Sequence, residues 1–158
     1  MSNSQPCRPA PCRPLSFPAA PAPVDPPAPL RRAEDAIDVL LLAASHPVRP
    51  EAIALVLDHA HRGMACVVVD GATAPTLPDV ATALLVSSCG RTRVSAFVLG
   101  TTAPAGGWPT DEHELLWFEL RDRFDAEGYD LLDWFVMVDG LALSMAELTD
   151  SHSLWLGG

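Results

Sequence analysis

Two apolar runs near the C-terminus, "LLDWFVMV" (131–138) and "LALSM" (141–145), are separated by Asp139-Gly140 alone. A two-residue Asp-Gly link suits a tight hairpin turn, so the runs are expected to pair as antiparallel strands. A parallel pair would need a crossover of a dozen residues or more, usually a helix. The chain therefore cannot close as a purely parallel doubly wound sheet.

Upstream of the hairpin, helical and extended patterns alternate. "AEDAIDVLLLAA" (33–44) places Ile37, Leu40, Leu41 and Ala44 at helical spacing, and His46-Pro47 ends it. A second helix is expected over 50–61, with Pro50 in its first turn, Ile53, Val56 and Leu57 as its buried stripe, and Gly63 as its stop. "ACVVVDG" (65–71) reads as a short buried strand. Thr76 can cap the next helix, with Pro78 and Asp79 in its first turn, Val80, Leu84 and Leu85 facing inward, and Gly90 at its end. "RVSAFVLG" (93–100) reads as another strand, and "TTAPAGGWP" (101–109) as a loop. Thr110 then caps a long amphipathic helix closed by Gly128, with Leu116, Trp117, Leu120 and Phe124 as its stripe. The expected fold class is α/β, a mixed sheet flanked by helices and ending in a β-hairpin.

Composition sets the boundaries. Ten of the sixteen prolines precede Leu30, and residues 1–31 carry almost no large apolar side chains. That stretch is expected to be a disordered or polyproline tail, because it has too little apolar surface to offset ordering entropy. The domain is expected over 32–150, with 151–158 as a C-terminal tail. Every basic residue is arginine, so a lysine-based phosphate loop or Schiff base is excluded. The formal net charge is −10, and residues 1–30 contribute only Arg8, Arg13 and Asp25, so the acidic excess lies in the body. Such a surface repels a phosphate backbone, and no direct nucleic-acid contact is expected.

Cys7, Cys12, Cys66 and Cys89 show no zinc-ligand spacing, and Cys66 and Cys89 are expected to be buried reduced thiols. With no apolar segment long enough to span a bilayer and no signal-peptide core, a cytoplasmic location without membrane contact is expected.

The order of elements, the loop and the hairpin together resemble the RadC branch of the JAB/MPN (JAMM) metalloprotease-like family, across roughly residues 49–149. "LLDWFVMVDGLALSMAEL" (131–148) is similar to that family's closing hairpin, with Trp134 where the family has histidine. "TTAPAGGWPTDEHE" (101–114) is similar to its metal loop, His-x-His-Pro-Ser-Gly followed by Ser-x-x-Asp. Pro104 and Gly106 match, whereas the two histidines fall on Thr101 and Ala103, the Ser on Asp111 and the Asp on Glu114. The family's catalytic Glu falls near Arg62-Gly63, and the second strand of its first hairpin falls on "ATAPT" (72–76).

The resemblance implies a JAB/MPN-like (cytidine-deaminase-like) fold, and in the family a zinc ion held by two His and an Asp. Thr101 and Ala103 offer a neutral hydroxyl and a methyl in place of imidazoles, and Glu114 alone keeps a carboxylate. That is too few donors for zinc, which needs N, S or carboxylate ligands in tetrahedral array. The implied function is a non-catalytic interaction or scaffold module, a pseudoenzyme with no cofactor and an unidentified protein partner. Thr102, Trp108, Leu154 and Trp155 are its candidate contacts, although packing is the favoured use of Trp108 and docking that of the Leu154–Leu156 tail.

Two other readings come from the residues themselves. Asp111, His113 and Glu114 could form a rebuilt metal-dependent hydrolase site, or the loop before the long helix could bind an anion or nucleotide. "DHAH" (58–61) reads as a solvated helix end, Ser87-Ser88-Cys89 as structural, and Trp117 and Trp134 as core.

Overall fold

The computed structural model describes residues 27–102 and 107–156. Its elements run α1 (Ala33–Ala43), β1 (Glu51–Leu57), β2 (Gly63–Asp70), a 3₁₀ turn (Ala74–Thr76), α2 (Leu77–Ser88), β3 (Ala96–Thr102), α3 (Asp111–Ala126), β4 (Asp130–Val138), β5 (Leu141–Ser144) and α4 (Met145–Leu148). The five strands form one mixed sheet in the order β2-β1-β3-β4-β5. β1 pairs antiparallel with β2 and β3, β3 runs parallel to β4 through α3, and β4 pairs antiparallel with β5.

The hairpin forms as its turn chemistry dictates. Asp139 and Gly140 both take positive φ (49° and 78°), and Val138 sits opposite Leu141. The long helix starts where expected, with Thr110 as its cap and His113 reaching back to it. The tryptophans of α3 and β4, Trp117 and Trp134, lie in the core as expected.

Residues 50–61 are not a helix. Glu51–Leu57 is a strand, every one of its residues is buried, and residues 58–61 form the turn of a hairpin with β2. The Asp58 carboxylate holds that turn by accepting the N–H groups of Ala60 (2.8 Å) and Arg62 (2.9 Å). "DHAH" is therefore a strand-to-strand turn rather than a helix end, and His61 in it is buried. Burial pulls the His61 imidazole below its usual value, against the attraction of Asp130 and Asp58. Gly63 does not stop a helix; it begins β2, beside a register shift opposite Val56 and Leu57. Residues 74–76 form a 3₁₀ turn and no strand, since β2 already completes the first hairpin. Cys66 and Cys89 are exposed rather than buried, Cys66 on the edge strand and Cys89 at the end of α2.

The sheet separates two apolar layers. Ala52, Ala54 and Val56 of β1, with Phe97, Leu99, Trp134 and Val136, pack under α2 and α3. Ile53, Leu55 and Leu57, with Val98, Leu132, Phe135 and Met137, pack under α1. Leu154 and Trp155 lie half-buried against this second layer, so the C-terminal segment docks on the domain. Of the N-terminal tail, residues 27–31 are described, and Pro29 bridges to Arg62 while Leu30 packs against the second layer.

Gly100 permits the close seat of α1 on β3. A Cβ there would stand 3.2 Å from Leu40 Cδ2 and 3.2 Å from Met137 Cε. Gly100→Ala is expected to cost about 1 kcal/mol through mild overpacking, read as a lower denaturation midpoint with an unchanged m-value.

Candidate functional site

The resemblance directs attention to the C-terminal end of β3, where Thr101 and Thr102 are successive residues and so face opposite sides of the sheet. Thr101 faces α3. Its Oγ1 accepts a hydrogen bond from Trp134 Nε1 at 3.0 Å, and both residues are buried. The indole in turn stacks on the His113 ring, with centroids 5.6 Å apart and planes 23° apart. His113 is in the first turn of α3, and its Nδ1 accepts the backbone N–H of Thr110 at 3.2 Å, with Thr110 Oγ1 at 3.1 Å. Thr101, Trp134, His113 and Thr110 thus form one chain of contacts from β3 through β4 to the start of α3.

Thr102 points the other way and donates to the Arg49 carbonyl at 2.7 Å. On that same face lies Glu51, fully buried and opposite Thr102 in the β1–β3 ladder. Its carboxylate accepts the backbone N–H (2.6 Å) and hydroxyl (2.9 Å) of Ser45, and Arg49 Nε stands 3.7 Å away. Sequence reasoning missed Glu51. These bonds tie the link after α1 to the start of β1, on the face opposite Thr101.

A cavity of about 270 Å³ opens at this end of the sheet. Thr101, Thr102, Thr110, His113, Met137 and Trp108 contribute to its wall. Its lining includes four threonines and one imidazole and no carboxylate among the described residues. Trp108 is 63% exposed at the rim, so the expectation that it packs is not met.

The other expected positions do not converge here. Gly63 pairs with Leu57, six residues along β1 from Glu51, so about 20 Å separates it from Thr102's end of the sheet. Ala103, Pro104 and Gly106 lie outside the described residues. Asp111 and Glu114 are exposed on the first turn of α3, while His113 turns inward to Trp134. Among the described residues no group of three His, Cys, Asp or Glu side chains is placed to hold a metal ion. Leu154 and Trp155 belong to the opposite layer and do not meet Trp108. The acidic first turn of α3, with Asp111, Glu112 and Glu114, works against an anion at that helix start.

One further polar centre stands apart. Asp133 is buried in β4, where Leu132 is an extra residue relative to β3. Its Oδ1 accepts the N–H groups of Trp134 (2.8 Å) and Ala146 (3.1 Å), and its Oδ2 accepts Ser144 Oγ–H at 2.5 Å. Ser144 Oγ also caps α4 by accepting Glu147 N–H at 3.1 Å. Burial nevertheless pushes the Asp133 carboxyl up to about 6. This carboxyl is closed in by its own hairpin and all its donors are internal, so its role is structural, and it fastens β4, β5 and α4 together.

Among the described residues no helix is long and apolar enough to cross a membrane. No known family model matches this chain, and no curated protein matches it either.

Proposed function

We propose that this chain is a cytoplasmic, RadC-like JAB-fold domain that has lost its metal site and acts as a non-catalytic protein-interaction module. The observation that carries the reading is the Trp134 Nε1 to Thr101 Oγ1 hydrogen bond. Thr101 stands where the family has one of its two zinc-ligating histidines; its hydroxyl is already engaged by an indole N–H, and neither side chain offers the lone-pair nitrogen that zinc takes. The mixed sheet with a terminal Asp-Gly hairpin supports the fold part of the reading. The interaction part rests on Trp108, a large aromatic at the rim of a mostly uncharged hollow. Exposed aromatic anchors of this kind are enriched at binding hot spots. The partner would be a protein presenting an apolar side chain to the Trp108 rim, not nucleic acid, which the net charge of −10 disfavours.

The test has two arms. Purified full-length protein, dialysed without chelator, is expected to carry less than about a tenth of an equivalent of zinc, nickel or manganese. Stoichiometric metal, lost in a His113→Ala variant, would overturn the non-catalytic reading. A photo-crosslinking residue at position 108 is expected to give a discrete protein adduct in cells, and the same residue at exposed Leu42 none. Equal labelling at both positions would remove the assigned surface.

A further inference from the structure

His61 is the buried member of an otherwise open turn. Asp58, His59, Ala60 and Arg62 around it are exposed or half-buried, whereas His61 keeps 6% of its surface. Its φ of 57° lies in the left-handed region, where Asn, Asp and His are the commonest residues other than glycine. Its N–H donates to the Asp58 carbonyl at 2.9 Å, which fixes the turn. Its carbonyl accepts the Leu30 N–H at 2.8 Å, and Pro29 bridges to Arg62 beside it. One residue thus joins the β1–β2 turn to the segment that leads into α1.

That segment borders an apolar space. Leu30 packs against the second layer, and Pro27, Ala28 and Leu30 form one wall of a hollow of about 370 Å³. Val39, Leu55, Leu57 and Met64 line its other walls. Residues 27–30 carry no charge of their own.

The His61 ring has few partners in its seat. Its Nδ1 is buried and has no hydrogen-bond partner among the described residues. A neutral ring bears that as one unmade bond, whereas an imidazolium adds a second donor and a buried charge. The carboxylates that act on the ring are Asp130, at the start of β4, and Asp58, in its own turn. Arg62 follows it in the chain with its Nε also buried and unpaired, and His59 turns away to the Thr92 carbonyl at 3.1 Å. Burial outweighs the two carboxylates and holds the ring below its ordinary value of 6.5.

We infer that residues 27–31 are a pH-released strap: the neutral His61 ring latches them to the β1–β2 turn, and acid frees them and opens the apolar hollow that they wall. An imidazole that leaves its seat with the strap regains water. The released state then binds more protons than the docked one, so release is favoured as pH falls through 6.5. The effect levels off where the docked ring itself takes a proton. This inference is independent of the Trp108 reading, since the two surfaces use different elements.

Hydrogen exchange of the full-length chain at pH 7.5 and pH 5 tests it, read as protection factors so that the ordinary pH dependence of exchange cancels. The Leu30 amide is expected to lose protection at least about fivefold at the lower pH. The Gly71 amide, which donates to the Pro50 carbonyl at 2.8 Å just past the other end of β2, is expected to lose none. His61→Asn accepts the left-handed backbone and does not titrate, so it is expected to flatten the Leu30 profile. Asp130→Asn removes an attraction that favours the proton on the docked ring, so it is expected to deepen the loss at pH 5. That arm decides by itself if His61→Asn frees the strap at every pH. Equal Leu30 protection at the two pH values in the wild-type chain would overturn the inference. So would an acid loss that survives in His61→Asn, a loss that Asp130→Asn leaves unchanged or reduces, or a parallel loss at Gly71, which would mark a general loosening of the hairpin.

Discussion

Replacing Asp133 with alanine is expected to lower stability by about 2–4 kcal/mol, through buried donors left without a partner. Three groups lose their acceptor at once: Ser144 Oγ, the Trp134 N–H and the Ala146 N–H. The hydroxyl can rotate, but the two backbone donors are fixed by β4 and α4. Asp133→Asn is the informative companion. Its amide oxygen can still accept both backbone N–H groups, and its NH₂ can donate to Ser144 Oγ.

The two variants also differ in pH dependence. Burial raises the Asp133 carboxyl from 3.8 to about 6, so the native state holds a proton that the unfolded state has released between those values. The native chain binds more protons there, so stability falls as pH rises through this window. The full loss is about 3 kcal/mol at 1.36 kcal/mol per pH unit. The contribution is complete below pH 4 and gone above pH 6. Urea denaturation at pH 4.5, 5.5 and 7 is expected to show this slope in the wild-type chain and its flattening in Asp133→Asn. Parallel pH profiles for the two would show that Asp133 ionises in the fold as it does in the unfolded chain, and that the donors around it offset burial.

Asp133 also shows where sequence reading stops. A charged residue inside the apolar run "LLDWFVMV" is visible, but its partners come from Ser144 and Ala146, eleven and thirteen residues on. The hairpin was legible because an Asp-Gly turn is a local signal. The cap of α3 was legible for the same reason, since Thr110 and His113 are three residues apart.

β1 reads as a helix because its sequence carries no strand period. "EAIALVL" is buried on both faces, between β2 and β3 and between two helical layers, so its apolar run is continuous. Rich in Ala and Leu and preceded by Pro50, such a run has the composition of a helix start. The error displaces the site as well. The hairpin carries Gly63 to the far end of β1 from Glu51. Glu51 escapes notice because its partners, Ser45 and Arg49, are ordinary loop residues until the sheet closes over them. The exposure of Cys66 follows from the strand order, since β2 is an edge, and edge position is set by topology alone.

Trp134→Ala is expected to cost about 3–5 kcal/mol, the usual range for emptying a large aromatic from a core. The indole is fully buried, it faces Leu99 across the β3–β4 ladder, and it spans the distance between Thr101 and His113. The more discriminating experiment separates its bulk from its N–H. Trp134→Phe keeps an aromatic body and removes the donor to Thr101, and Thr101→Val removes the acceptor and keeps the shape. Each single change leaves one buried partner with less than it needs and is expected to cost about 1–2 kcal/mol. The double variant leaves neither group orphaned, so its cost should fall short of the sum by about 1 kcal/mol. Strict additivity would mean that the two positions do not act as a pair. Coupling would show that the Trp134 N–H and the Thr101 hydroxyl join β3 and β4 as one buried pair at this end of the sheet.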